Sequence, residues 1–412
     1  MARLMTVGFD AFYGTDAFPA YEYDWVFDAG GDIFQETSIQ RTGAACIRLA
    51  SNAGNGPSCS FSAWGTLGAN GYYARIYYRF AALPASTVRI MQFEDSATFA
   101  PLVSARITSA GKLQLWNQTG TPAQIGSDSA ATIQINTWYR IELHCKTVTG
   151  ASDTAGLRLD GVEVASATGL ALSDVNVGAF RHGWIDAPGA SKSVYLDDMA
   201  VNDDTGSNQT SWPGDGKVAY LRPVSDNARG TNWTAGAGGT TNLWDAVDNG
   251  TPAGVAAGSA TNTSQIKNTN TADVTGNYDA NMESYTTAGI GATDTIVLVQ
   301  SVAQVGTSAA VNVTNAIQIV SNPAQGAEET KTTGALVMGS YGTNWKSLWG
   351  AAQYAPTVVF ATQPVFRIGR RGTEAAELHC CGMRIAVEYV AVGTLVGTFT
   401  DHPKPVLRGA TL

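Results

Sequence analysis

Apolar and polar residues alternate with a period of two through much of this chain. The alternation is clearest in Tyr72-Tyr-Ala-Arg-Ile-Tyr-Tyr-Arg-Phe. There it places Tyr72, Ala74, Ile76, Tyr78 and Phe80 on one face of a strand and Tyr73, Arg75, Tyr77 and Arg79 on the other. Ala44-Ala-Cys-Ile-Arg-Leu, Val88-Arg-Ile-Met-Gln-Phe, Leu102-Val-Ser-Ala-Arg-Ile, Lys112-Leu-Gln-Leu-Trp and Trp138-Tyr-Arg-Ile-Glu-Leu read the same way, with turn formers between them. Ala155-Gly-Leu-Arg-Leu-Asp-Gly-Val-Glu-Val-Ala holds two short runs around Asp160-Gly161, a hairpin signal because both residues accept positive φ. No segment sustains a 3.6-residue period with caps. The predicted fold class is therefore all-β, as two β-sandwich or jelly-roll domains.

The pattern lapses at Asn202-Asp-Asp-Thr-Gly-Ser-Asn-Gln-Thr-Ser-Trp-Pro-Gly-Asp-Gly, a run of turn formers that reads as an interdomain joint. This predicts a first domain over 1–207 and a second over 208–400, with 401–412 as a tail. A strand, Lys217-Val-Ala-Tyr-Leu-Arg-Pro, follows the joint at once. The weakly patterned stretch 225–275, with Trp233 and Trp244, is expected to be an extended loop or surface arm. Strands resume at Asp294-Thr-Ile-Val-Leu-Val-Gln-Ser-Val-Ala, Ala316-Ile-Gln-Ile-Val, Val365-Phe-Arg-Ile-Gly and Met383-Arg-Ile-Ala-Val-Glu-Tyr-Val. Asn344-Trp-Lys-Ser-Leu-Trp suggests a single helical turn.

Composition narrows the function classes. Only 14% of the 412 residues are charged, against about 25% in typical globular chains, and 45 are glycine. Net charge is −9, and no cluster of basic residues is long enough to track a phosphate backbone or an anionic membrane. The five cysteines include no CxxC pair, which favours buried free thiols over a zinc site or a disulfide framework. No run of about 18 apolar residues occurs and the N-terminus has no signal-peptide pattern, so synthesis in the cytoplasm without membrane insertion is expected.

Two sets of residues carry a family resemblance. The Trp138-Tyr strand, the Leu159-Asp-Gly hairpin and the closing Ser193-Val-Tyr-Leu-Asp-Asp-Met-Ala-Val-Asn-Asp resemble laminin-G-like (concanavalin A-like) jelly rolls. The joint Trp212-Pro-Gly-Asp-Gly-Lys-Val-Ala-Tyr-Leu-Arg-Pro, with Phe366-Arg-Ile-Gly-Arg-Arg-Gly-Thr-Glu near the end, resembles a two-domain family of tailed-phage virion proteins. The resemblance implies a virion structural protein: a tail fibre, a tail-tip component, or a head-attached fibre or decoration. It also implies contacts with copies of itself and with other virion proteins, and it supplies no catalytic residues.

Candidate chemistry is thin. Jelly-roll glycosidases set three acids on one face as Glu-x-Asp-x-x-Glu, and no such triplet occurs. Glu94 and Asp95 are adjacent, point apart in a strand, and read as solvated turn carboxylates. Asp160, Asp197 and Asp198 are candidate Ca²⁺ ligands, since laminin-G-like domains sometimes hold calcium at a rim, although Asp-rich turns need no metal. His144 beside Cys145 points away from it along a strand and reads as structural. Trp116, Trp138 and Trp184 join the tyrosines as candidate sugar-stacking aromatics. The row Tyr73, Arg75, Tyr77 and Arg79 is a candidate binding surface, with ordinary cross-strand pairing as its plain alternative. The expected function is accordingly a non-enzymatic phage virion protein acting by assembly, as a symmetric homo-oligomer, and by surface binding. The alternatives are a carbohydrate-binding adhesin for host-surface glycan and, less favoured, a polysaccharide depolymerase.

Overall fold

The computed structural model describes residues 3–9, 25–27, 32–51, 56–61, 71–148, 150, 152–172, 175–235, 242–248, 265–269, 275–307, 313–333, 346–350 and 352–392. In the first half the alternating runs become β1 (Arg3–Val7), β2 (Trp25–Phe27), β3 (Asp32–Glu36), β4 (Cys46–Ala50), β5 (Ser58–Phe61), β6 (Gly71–Phe80), β7 (Val88–Asp95), β8 (Pro101–Ile107), β9 (Leu113–Asn117), β10 (Ala123–Ile125), β11 (Trp138–Lys146), β12 (Asp153–Leu159), β13 (Val162–Leu170), β14 (Val177–Gly183) and β15 (Ser193–Asp203). They form two antiparallel sheets. The first runs β13-β12-β11-β6-β15-β4-β3 with β1 on β15, and the second runs β10-β9-β8-β7-β14-β5-β2.

Between these sheets lies the first core. All five residues assigned to the inner face of β6 are in it: Tyr72, Ala74, Ile76, Tyr78 and Phe80, packed with Val103, Leu115 and Phe180 of the second sheet. The β12–β13 hairpin turns at Asp160 (φ 51°) and Gly161 (φ 84°), so that Leu159 faces Val162, as the Asp-Gly signal requires.

The second half holds β16 (Lys217–Leu221), β17 (Pro223–Arg229), β18 (Trp233–Ala235), α1 (Leu243–Asp248), β19 (Ile266–Asn268), β20 (Asn277–Met282), β21 (Thr295–Thr307), β22 (Val313–Ser321), β23 (Glu329–Thr333), β24 (Lys346–Trp349), β25 (Gln353–Tyr354), β26 (Val365–Arg370) and β27 (Leu378–Val390). A third sheet runs β18-β19-β27-β21-β24, with β16 on β27 and β25 on β21, and a fourth runs β17-β20-β26-β22-β23. Tyr278, Ile317 and Phe366 of the fourth sheet pack with Val299, Ile385 and Val387 of the third. The all-β sandwich class expected from alternation is what the chain adopts.

Two local expectations are corrected. The stretch 225–275 contains strands and a helix where it is described, and Trp233 is buried in the second core; its residues 236–241, 249–264 and 270–274 lie outside the described set. Its weak pattern reflects short strands whose partners lie far along the chain, such as β19 against β27. Lys346–Trp349 is a strand because it pairs with the long β21, and this tertiary ladder overrides a local helical tendency. Residues 344, 345 and 401–412 fall outside the description. All five cysteines are buried free thiols.

The two pairs of sheets meet through a charged interface. Val218, Tyr220, Val302 and Ala386 of the second half join the first core, and a carboxylate from the far end of the chain is enclosed beside them. Glu388 of β27 is fully buried between Arg3 of β1 and Arg75 of β6, with Arg75 Nη1 donating to its Oε1 at 2.8 Å. Removing one member of a buried, hydrogen-bonded charge group strands the others. Glu388→Ala is expected to lower unfolding free energy by about 3–5 kcal/mol, read from denaturant midpoints. Arg48→Ala, which breaks a partly exposed pair with Glu36 at 3.6 Å, should cost at most about 1 kcal/mol. Equal losses at the two sites would contradict the assignment.

Candidate active site

The row Tyr73, Arg75, Tyr77 and Arg79 does project from the outer face of the first sheet, but it is not an open surface. Arg75 is fully buried and Tyr77 is 5% exposed. The joint lies across them in register. Trp212 meets Tyr73 edge-on at 5.3 Å between ring centres, Gly214 O accepts from Arg75 Nη1 at 3.1 Å, and the Tyr77 hydroxyl donates to Asp215. Arg41 stacks over Tyr77 at 3.4 Å, while Arg79 donates to Asn136 O and lies over Tyr195. His144 stacks on Tyr73 at 4.1 Å, and its ring nitrogens meet Tyr72 O and Thr154 Oγ1; burial lowers its pKa to about 4. It is a neutral structural histidine.

The candidate calcium ligands are not assembled. Asp160 sits at its hairpin tip, accepting from Arg140 N at 2.8 Å. Asp197 accepts from Arg41 N, Thr42 N and Asp198 N. Asp198 accepts from Val218 N at 2.7 Å, from Arg41 Nη1 and from the Thr42 hydroxyl. Both carboxylates hold the loop before β4 against β15, and Asp198 also holds β16, which follows the joint, through Val218 N. Among the described residues, no group of three or more His, Cys, Asp or Glu side chains is arranged to hold a metal ion.

The second sheet offers a different face, on which Arg89, Arg106, Gln114, Trp116, Gln124, Arg181 and Asp186 are partly exposed while Ser60, Gln92, Glu94 and Ser104 are buried. Ile90, Phe93, Val103, Ala105, Leu115 and Phe180 point into the core, so the intervening side chains of β5, β7, β8, β9 and β14 project from the opposite face. An extra residue between Arg89 and Met91 breaks the period, which brings Arg89 and Gln92 to the same face despite their odd spacing. Directly opposed residues then form one row across six strands: Ser60, Arg181, Gln92, Ser104, Trp116 and Gln124. Arg89, Arg106 and Gln114 form a second row beside it.

Hydrogen bonds connect these side chains. Asp186, which follows β14, receives Arg89 through Nε at 3.0 Å, through Nη2, and through the backbone N at 2.9 Å. Arg89 Nη1 donates to Gln92 Oε1 at 3.2 Å, and Gln92 Nε2 donates to Glu94. Arg181 Nε donates to Ser58 Oγ at 2.9 Å. Arg106 donates to Gln118, Gln118 donates to Ser104, and the Arg106 guanidinium lies 4.0 Å from the centre of the half-buried Trp116 ring.

Electrostatics separates the two carboxylates. Burial raises the pKa of Glu94, and the Gln92 hydrogen bond and the charges of Arg181 and Arg89 offset this only in part. Burial opposes ionisation of Asp186 too, but the hydrogen bonds and charge of Arg89 outweigh it and hold that carboxyl below its usual range. Asp186 is thus held as an anion by Arg89, whereas burial favours the neutral form of Glu94. Three guanidiniums on the same face suit an anionic ligand, and Trp116 suits a sugar ring. Of the remaining aromatics, Tyr72, Tyr78 and Trp184 are core residues.

No protein-family model and no curated protein matches the chain. Solved structures similar in part include an endo-β-1,4-glucuronan lyase from the fungus Trichoderma reesei, 15% identical, covering 48% of this chain and 95% of its own, with TM-score 0.39. An alginate lyase from a Chlorella virus is 11% identical, covering 48% of this chain and 99% of its own, with TM-score 0.38. A carbohydrate esterase from the Shiga toxin-encoding bacteriophage phi24B is 16% identical, covering 43% and 88%, with TM-score 0.32. These neighbours are carbohydrate-active β-sandwich proteins, and one comes from a phage.

The expectation of a non-enzymatic virion protein acting by adhesion is corrected. Arg75 and Tyr77, the centre of the Tyr-Arg row on which adhesion rested, are buried beneath the chain's own joint, and the solved structures named above are two polysaccharide lyases and a carbohydrate esterase. The reading of Glu94 as a solvated turn carboxylate is also corrected: it is 3% exposed within β7. Asp95, by contrast, does cap a turn, through Ala97 N and Thr98.

The raised pKa of Glu94 has a testable sign. The folded state holds this proton more tightly than the unfolded chain, so its contribution is fully present below the ordinary value of 4.5 and is lost as pH rises through the raised pKa. The unfolding free energy of the wild type minus that of Glu94→Gln should fall with rising pH just above 4.5. A difference that is flat or rises with pH would contradict the assignment.

Proposed function

We propose that the chain is a polysaccharide-degrading enzyme that cleaves an acidic polysaccharide by β-elimination on the outer face of the second sheet. The observation that carries this reading is the unequal state of the two carboxylates. Hydrolysis by the usual route needs two working carboxyl groups. Here Asp186 is committed to Arg89 through both oxygens, which leaves Glu94 to move protons. Elimination needs a cation to neutralise the sugar carboxylate and one group to take the adjacent carbon-bound proton. Arg181 and Arg106 suit the first task and Glu94 the second.

In that step the glutamate carboxylate takes the proton from the ring carbon bearing the carboxylate. The carbon–hydrogen electron pair forms the ring double bond. The bond to the glycosidic oxygen breaks, and that oxygen leaves with its electron pair and takes a proton from water, the resulting hydroxide taking back the proton held by the glutamate. The guanidinium stabilises the enolate-like charge that develops before the bond breaks. Trp116 would seat a neighbouring sugar ring. The joint sequences that resemble tailed-phage virion proteins support placing such an enzyme on a virion, among copies of itself, where host-surface glycan would be its substrate.

Incubation with glucuronan and with alginate is expected to release oligosaccharides carrying an unsaturated, ultraviolet-absorbing end. Glu94→Gln should lower kcat by about 10²–10⁴-fold while the protein stays folded. Reducing ends without the unsaturated product, or full activity in Glu94→Gln, would overturn the reading.

A further inference from the structure

The fourth sheet carries a separate polar depression of about 410 Å³, where the end of β17 and the turn after it meet the start of β20 and Arg367 of β26. Gly230 and Gly276 line it without side chains, so a ligand can approach the backbone. The acceptors around it are already engaged. Asp279 takes the fork of Arg367, from Nε at 2.7 Å and from Nη2 at 2.8 Å. Asn277 Oδ1 takes Arg371 Nη2 at 2.9 Å, which fixes the amide and turns its NH₂ group away from that bond.

The donors are less fully used. Among the described residues, Arg367 Nη1, Asn277 Nδ2 and the exposed Thr231 hydroxyl make no hydrogen bond, and Arg229 adds positive charge at the rim. A depression with unspent donors and engaged acceptors calls for a ligand rich in acceptors, and a carboxylate with ring hydroxyls meets that need. Its volume lies within the range of small-molecule sites.

We propose that this depression is an accessory binding site for one acidic sugar unit of a polysaccharide, with the carboxylate on Arg367 Nη1 and Asn277 Nδ2. The choice of an acidic sugar among carboxylates rests on the function proposed above. Such a site would hold the polymer at a second point, and two linked contacts raise the effective concentration at each.

The test is calorimetric titration of the full chain with a glucuronate tetrasaccharide, in a Glu94→Gln background so that the probe persists. Two sites per chain are expected. Asn277→Asp keeps the acceptor for Arg371 but replaces the free donor with a carboxylate, and it should abolish one site. Thr231→Val, at an exposed position, should weaken the same site several-fold. With Glu94 intact, Asn277→Asp should cleave short soluble oligosaccharides as the wild type does. Unchanged stoichiometry and affinity in Asn277→Asp, or equal binding of a neutral cellotetraose, would overturn the proposal. A site lost in Asn277→Asp from a chain that cleaves nothing would sink the enzyme reading and keep this one. Cleavage with unaltered binding in Asn277→Asp would do the reverse.

Discussion

A charge withdrawn from water must be neutralised where it stands, and Glu388 sets that condition for the whole molecule. Its side chain is fully buried, and its partners come from the first strand and from β6, far away in sequence. The condition spreads outward. Arg3, Arg41, Arg75 and Arg140 pair with Glu142, Asp198, Asp215 and Glu388 at the same interface, some within the first half and some across to the second, four guanidiniums with four carboxylates. Gly216 must be glycine for the chain to pass, because a Cβ there would lie 2.6 Å from Arg75 Nη1 and 2.7 Å from Glu388 Oε1. Such a network adds little net stability over a well-packed apolar interface, but every mismatched alternative leaves a charge unpaired. It acts on register and orientation more than on depth of the energy well.

Much of the fold was legible because a strand's two-residue period depends only on local sequence. The inner face of β6 and the Asp160-Gly161 turn follow from that period and from φ preferences alone. What covers each face does not. The Tyr73-Arg75-Tyr77-Arg79 row looks like a solvent-facing strip, and its principal carboxylate partner is 313 residues away. The two most distinctive features of the sequence, this row and the Trp212-Pro-Gly-Asp-Gly joint, are each other's partners. No short window of sequence contains both.

The second-sheet face was hidden for a different reason. Arg89 and Gln92 are three residues apart, a spacing that strict alternation assigns to opposite faces, and the extra residue at the bulge reunites them. Glu94 was read together with Asp95, the last residue of β7, yet their roles differ: one faces Gln92 within the sheet and the other caps the following turn. Polar residues inside an apolar strand, at Gln92 and Ser104, were the available signal. Arg181 carried almost none, since β14 is short on alternation and its neighbour His182 is a core residue.

The joint can also be viewed as a ligand. Its tryptophan, carbonyl and carboxylate occupy an aromatic and basic groove in the way a bound glycan or peptide would, but it is tethered at both ends. Tethering gives it an effective concentration that free competitors rarely reach, so the groove is permanently self-occupied. The first sandwich separated from its joint would therefore be a different molecule in solution. It would bare Arg75 and Tyr77, which the intact chain buries, and the stickiness of such a fragment would report on the missing segment, not on the native protein.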